Sequence, residues 1–369
     1  EKREYIVLAG YLSSSADSDP EFYNSTLDSL INDEYLGKWF PFFQDTTKID
    51  RRGIERLHKA VAIGHAKAEA FRVLAWEHVH ESISDDDLAE LLEKLQSLEN
   101  GINVAIEILR NRFHETEEKQ IQHSKKLIET ACIFLISYPF TKSHLWQNNA
   151  NYSLAQIAKV CFNSKYGAKF FLKTCEHFAK FASEYQISSI EYSDLFKTIA
   201  RVNPLVFLDV FLENKMNIEN YKPHLVFRDD FYENDFLIDQ IEIEVLISWC
   251  EITPQTRYQL LASVSKLFSI SKETKELTLN PNIYLLFNKA PNLSIMIHHL
   301  SKSASPLSWS GSLAELISKR AELIKGLFVH ENEEVKSWAK EQYSSLQKEA
   351  KYANEEEEKR NRFYNERFE

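Results

Sequence analysis

Ser84-Asp85-Asp86-Asp87-Leu88-Ala89-Glu90-Leu91-Leu92-Glu93-Lys94-Leu95 reads as a helix with its start signal attached. Leu88, Leu91, Leu92 and Leu95 recur at i, i+3, i+4 and i+7, which gathers them on one face. Ser84 suits the N-cap, and three carboxylates follow in the first turn, where the helix dipole favours negative charge. Asn100-Gly101 breaks the pattern. Ile102, Ala105, Ile106, Leu109 and Phe113 then form a second stripe of the same period. Two amphipathic helices joined by a short turn make an αα-hairpin.

The same unit recurs on both sides. The first hairpin occupies 85–98 and 102–114. Before it, helices fit 21–32, 50–63 and 67–80. After it, they fit 118–137, 152–162, 167–185, 190–201, 204–213, 240–250, 254–268, 281–289, 291–301, 312–328 and 333–363. Pro204, Pro254, Pro281, Pro291 and Pro306 each suit a first helical turn, where the missing N–H costs nothing. Tyr5-Ile6-Val7-Leu8 reads as a strand or the end of an incoming helix, and Leu225-Val226-Phe227 as extended. The spacing is irregular and no fixed period emerges, which excludes a consensus tetratricopeptide or ankyrin array.

The C-terminal part comes nearest to a recognisable repeat. Leu313, Leu316, Ile317, Leu323, Ile324 and Leu327 make one apolar helix. After His330-Glu331-Asn332 a second helix presents Val335, Trp338, Ala339 and Leu346. Val335-Lys336-Ser337-Trp338-Ala339-Lys340 resembles the second helix of a HEAT repeat, with the small Ala339 allowing close approach. From Lys348 the chain is almost wholly charged. Glu355 with Lys359, Glu356 with Arg360 and Glu358 with Arg362 are i, i+4 pairs in the favourable order, worth ~0.2–0.5 kcal/mol each. The expected fold is all-α: an irregular α-solenoid of helical hairpins, HEAT- or TPR-like, with a long charged C-terminal helix. The expected divisions are an N-terminal linking segment with the first helices (1–49), an α-helical repeat domain (50–347) and a charged C-terminal helix or tail (348–369).

Composition narrows the class. Of 369 residues only 8 are Gly and 9 are Pro, against a usual combined share of ~12%. Turn-rich sandwiches, barrels and propellers need more glycine, and so do phosphate-binding loops. The net charge of −11 repels phosphate backbones and disfavours nucleic acid as a partner. The basic residues are scattered as Arg51-Arg52, Lys125-Lys126 and Arg110 with Arg112, the last two expected on the solvated edge of their stripe. No apolar run reaches the ~20 residues of a membrane span. Cys132, Cys161, Cys175 and Cys250 lack CxxC spacing and read as buried, reduced thiols of a cytoplasmic protein. The opening Glu1-Lys2-Arg3-Glu4 lacks a Met and reads as the start of a piece cut from a longer polypeptide, whose catalytic part lies elsewhere.

No catalytic, cofactor-binding or metal-binding motif emerges. Gly37-Lys38 is followed by Trp39 and lacks the first glycine of a Walker A loop, and GxGxxG and GxSxG are absent. His78 and His80 are two apart and diverge on a helix, the adjacent His298 and His299 diverge as well, and HExxH is absent. Cys175 and His177 are likewise two apart and would not meet. Ser84-Asp85-Asp86-Asp87 reads as a cap and not as a metal site.

Aromatic residues carry more information. There are 24 Phe, 16 Tyr and 6 Trp, and most fall on helix stripes. Lys38-Trp39-Phe40-Pro41-Phe42-Phe43 is a dense cluster read as a loop between helices, either a cap over the array's end or an exposed recognition patch. Ser305-Pro306-Leu307-Ser308-Trp309-Ser310-Gly311-Ser312 sets a Trp among small polar residues, as a helix-entry turn or a contact loop. Phe363, Tyr364 and Phe368 interrupt the charged tail and suit docking on the body or on a partner. The candidate partner-binding residues are Trp39, Phe40, Phe42, Phe43, Trp309, Phe363 and Tyr364.

Four segments carry a family resemblance: Ala75-Trp76-Glu77-His78-Val79-His80-Glu81-Ser82-Ile83-Ser84-Asp85-Asp86-Asp87-Leu88, Val104-Ala105-Ile106-Glu107-Ile108-Leu109, Leu307-Ser308-Trp309-Ser310-Gly311-Ser312 and Asn365-Glu366-Arg367-Phe368-Glu369. They resemble C-terminal helical-repeat regions of large bacterial antiphage proteins, of the STAND-type NTPase class and its relatives. The resemblance implies an upstream effector and NTPase, and a repeat region that senses a phage component or mediates assembly. The expected function is non-catalytic protein recognition or assembly, with a phage protein or another part of the same system as partner. The alternative is a nucleic-acid-associated helical scaffold, the recognition arm of a defence nuclease.

Overall fold

The hairpin read from Ser84 onward forms as expected. Ser84 takes β-region angles, and its Oγ accepts from the Asp87 amide at 3.2 Å to start the helix. The computed structural model describes residues 4–76, 82–118, 121–140, 150–185, 191–227, 237–271, 273–306 and 309–368. In chain order its helices are α1 (Glu4–Ser18), α2 (Pro20–Leu30), α3 (Phe40–Gln44), α4 (Arg51–Ile63), α5 (Asp85–Leu95) and α6 (Gly101–Glu118). Next come α7 (Lys125–Ser137), α8 (Ala150–Asn163), α9 (Phe171–Tyr185), α10 (Ser193–Val202), α11 (Pro204–Phe211) and α12 (Pro223–Phe227). The last are α13 (Ile243–Cys250), α14 (Pro254–Val264), α15 (Pro281–Lys289), α16 (Leu293–Ser301), α17 (Leu313–Ile324) and α18 (Glu333–Phe368). Tight 3-10 segments add Gly37–Trp39, Ala68–Ala75, Ala168–Phe170, Leu237–Gln240 and Lys325–Val329. The fold is all-α, as expected.

Several boundaries differ from the sequence reading. Tyr5-Ile6-Val7-Leu8 belongs to α1, and Val226 and Phe227 end the short α12 instead of extending. The helix expected to reach 268 stops at Val264. Ser265 leaves helical angles, its Oγ bonding Leu261 O at 2.8 Å, and Phe268–Ile270 (β1) pairs antiparallel with Leu277–Leu279 (β2). Pro204, Pro254 and Pro281 do open helices, as do Pro20 and Pro223, whereas Pro291 and Pro306 lie outside them. Asn292 caps α16 in place of Pro291, accepting from Ile295 N at 3.2 Å.

Contacts divide the chain into two units, Glu1–His177 and Phe178–Glu369. The expected divisions at 49 and 347 do not coincide with this one. In the first unit α4 packs on α5 and α5 on α7, while the Ala68–Ala75 segment packs on α6 and α6 on α8. α5 and α6 thus each touch an element before and an element after their own pair. Polar links also tie these elements and their ends: Arg72 to Glu107, Asn100 to Glu69, Thr130 to Glu93 and Tyr138 to Asn103 join residues 31 to 37 positions apart. Leu88, Leu91, Leu92 and Leu95 are fully buried between them. On α6 the buried set includes Val104 and Ile108 beside the predicted stripe, because this helix has neighbours on both sides.

In the second unit α11 packs on α13, α14 on α16 and α16 on α18, with α17 lying along α18. Val335, Ala339, Leu346, Ala350 and Ala353 form the buried edge of α18. Trp338 is buried there beside Phe287 and donates from its Nε1 to Ser301 Oγ at 2.8 Å. No break occurs at Lys348, so the charged segment continues the same helix. Among the described residues, no helix is long and apolar enough to cross a membrane.

Candidate functional site

Two partly or fully buried charged groups, Asp85 and Arg257, hold helices together. Asp85 sits in the first turn of α5, and its carboxylate accepts from Arg112 at 2.9 Å, from the Ser124 amide at 2.7 Å and from His123 Nδ1 at 3.1 Å. Burial pushes the Asp85 carboxyl up, but the bonds from His123, Ser124 and Arg112 outweigh it and hold it well below the usual carboxylate range. Ser124 is itself the N-cap of α7, so one carboxylate ties two successive hairpins. Arg112, expected on a solvated edge, is nearly buried in this bond.

Arg257 plays the matching part in the second unit. Its guanidinium, 1% exposed, donates to Trp249 O, Asp209 and Glu213 at 2.8, 2.8 and 2.6 Å and stacks over the Trp249 ring.

The thiols and imidazoles are placed for structure too. All four cysteines are buried and free, and burial pushes the Cys250 thiol up to about 12. His177 Nε2 bonds Tyr138 O at 2.9 Å. The rings of His298 and His299 lie 5.9 Å apart. Among the described residues, no group of three or more His, Cys, Asp or Glu is placed to hold a metal ion. His78 and His80 lie outside the described residues.

The candidate aromatic residues separate into core and surface. Phe40-Pro41-Phe42-Phe43 is helix α3 and not a loop, and Phe40 and Phe43 are fully buried. The reading of that cluster as one exposed patch is corrected accordingly: these two rings are core, because a helix must turn part of so apolar a run inward. Phe42 is half-buried, with Tyr5 edge-on at 5.5 Å. Trp39 stays exposed at 39% and stacks on Tyr5 at 4.6 Å. It walls a cleft of about 650 Å³ whose other lining includes Lys38, His65, Lys67, Glu69 and Glu99. That lining mixes both signs of charge.

Trp309 walls the second cleft, of about 550 Å³, between its own loop and α18. The loop is tied to α18 at its C-terminal end. Gly311 takes φ +84°, in the left-handed region that side chains disfavour. Ser312 caps α17 and donates from its Oγ to Glu357 at 2.7 Å, while Glu357 also accepts from the Leu313 amide at 2.7 Å. The Ser312 bond holds the Glu357 carboxyl below its usual range, against partial burial and with help from the Ala314 and Leu313 amides. Facing Trp309 across the cleft are Tyr352, Glu349, Glu356 and Arg360 of α18. Trp309 is 48% exposed and Tyr352 65%.

Phe363 is exposed farther along α18, outside this cleft, and the Tyr364 side chain lies outside the described residues, as do Leu307 and Ser308. The structure therefore brings Trp309 to α18 and leaves Trp39 in a separate cleft of the first unit.

Sequence reasoning missed Tyr352 and its acidic neighbours by treating the segment as solvated charge. The signal was there: residues 349, 352, 356 and 360 fall on one helical face. Tyr5 had no comparable signal. Comparison with protein-family models, curated proteins and solved structures gives no match to this chain.

Proposed function

We propose that this chain is a non-catalytic protein-recognition or assembly domain built on stacked helical hairpins. The observation that carries the reading is the Trp309 cleft. A half-exposed Trp is held open by a turn pinned to α18, opposite an exposed Tyr. Exposed aromatic side chains cost solvation, and rigid ones with little rotamer entropy to lose are the usual anchors of protein interfaces. The perturbed carboxylate Asp85 and the buried guanidinium of Arg257 are spent on structural bonds, and Trp39 stacks on Tyr5, whereas the exposed rings of the Trp309 cleft are open to a partner. In this reading the domain acts in the cytoplasm as the sensing or assembly part of a larger bacterial antiphage protein, and the net charge of −11 works against a nucleic-acid scaffold.

Affinity capture against a panel of phage structural proteins, the proteins encoded beside this chain and the chain itself tests the proposal. The expected result is saturable, stoichiometric binding to one member. No binding across the panel, or binding only to DNA or RNA with a steep salt dependence, overturns it.

A further inference from the structure

We infer that the Trp309 cleft takes a cationic side chain, arginine or lysine, from a basic segment of a partner protein; the inference rests on the protein-recognition reading above and names the chemistry of its partner. Two aromatic side chains line one cleft, Trp309 from the loop and Tyr352 from α18, both substantially exposed. An indole face is the best aromatic receptor for a guanidinium or ammonium, through its negative quadrupole.

The charged lining favours the same guest. Glu349, Glu356 and Glu357 outnumber the one cation, Arg360. Glu357 and Arg360 attract each other within α18, and Glu357 is already committed to the start of α17. Glu349 accepts a neutral hydroxyl, from Ser305 at 2.8 Å. Glu356 meets Lys359 at 2.7 Å in an exposed pair, with side chains 44% and 63% accessible. Such pairs add little and exchange readily. The cleft thus offers two rings and three carboxylates in its lining, within a molecule of net charge −11. An acidic or phosphorylated guest would meet repulsion here, and a purely apolar guest would leave the carboxylates unanswered.

The pinned turn supports the assignment. Ser312 and Glu357 hold the C-terminal end of the Trp309 loop against α18 before any guest arrives, which lowers the ordering left to pay on binding.

Fluorescence anisotropy of a labelled nona-arginine peptide against the full chain tests this, with a nona-glutamine peptide as reference. Saturable binding that weakens with added salt is expected, and none for nona-glutamine. Trp309→Ala and Tyr352→Ala leave the net charge unchanged and are each expected to weaken binding about tenfold. Trp309→Phe should restore most of it. Glu356→Gln should weaken binding about threefold, whereas Glu55→Gln, an equal loss of charge on an exposed side chain of α4, should not change it. Helical circular dichroism and melting temperature matching the parent exclude unfolding as the cause. Absence of peptide binding overturns the inference, as does equal binding by all variants, which marks diffuse attraction to an acidic protein. The two proposals fail separately. If a captured partner persists in Trp309→Ala and Tyr352→Ala, recognition stands and the cleft assignment falls. If the peptide behaves as expected but the panel yields no partner, the cleft stands and the recognition reading falls.

Discussion

At the residue scale, the informative groups are those whose burial contradicts their type. Asp85 was legible as an N-terminal carboxylate, but its partners Arg112, His123 and Ser124 lie 27 to 39 positions away and were not. Asp85→Asn keeps the size and removes the charge that three donors answer. We expect a loss of about 2 kcal/mol in urea unfolding at neutral pH. The pH dependence follows in sign. The folded carboxyl lies below its unfolded value of roughly 3.9, so its contribution is complete above about pH 5 and fades as the pH falls toward the folded value. The variant should therefore lose less stability than the parent on acidification below that point. Arg257→Met tests the other anchor. It takes away the buried cation of Asp209 and Glu213, leaves them the more exposed Lys215 at 2.7 and 3.6 Å, and removes the stack on Trp249, at an expected cost of about 3 kcal/mol. If Arg257→Lys restores full stability, the bidentate geometry does not matter and that account is wrong.

At the element scale, the turns explain the composition. With so few glycines, Asn carries the left-handed conformation at Asn100, Asn214, Asn217 and Asn220, with φ between 50° and 59°. The glycines that remain include joints where the chain folds back on a helix end. A Cβ on Gly101 would lie 1.8 Å from Leu95 O, and one on Gly167 would lie 2.0 Å from Cys161 O. Each carbonyl lies six residues back, so the same turn recurs at the two helix ends though the surrounding sequences differ. Gly101→Ala is expected to cost more than about 2 kcal/mol, since the backbone itself must shift. Gly10, inside α1, has open space around its would-be Cβ. Gly10→Ala should add about 0.5–1 kcal/mol through helix propensity. Thermal melting of the two variants, with shifts of opposite sign, checks both. The β1–β2 hairpin was missed because Leu267, Phe268 and Ile270 continue an apolar pattern that short runs share between helix and strand.

At the scale of the whole molecule, the two-unit division predicts where damage spreads. Asp85 links α5 to α7 in the first unit, while Arg257 links α14 to α11 in the second. In amide hydrogen exchange, Asp85→Asn should lower protection across α5 to α7 and leave α11 to α14 as in the parent. Loss of protection everywhere at once would show a single cooperative body. The hairpins also account for the absence of a sequence repeat. Each neighbour needs only an apolar stripe, a capped start and a tight turn, and many residues satisfy each of those requirements.

Local chemistry in the sequence determined the helices: the leucine spacing of α5, the Ser84 and Ser124 caps and the prolines at Pro204, Pro254 and Pro281 act within one or two turns. It also determined the free, buried cysteines and the acidic field. Tertiary structure alone decided which aromatic residues became core. Phe40 and Phe43 went inward while Trp39 and Trp309 stayed at the surface, though all four sit in aromatic or polar runs without a clear period. It decided too that Tyr352 and Glu356 face Trp309. Burial and a shared cleft depend on which distant element arrives alongside, and no spacing within a helix encodes that neighbour.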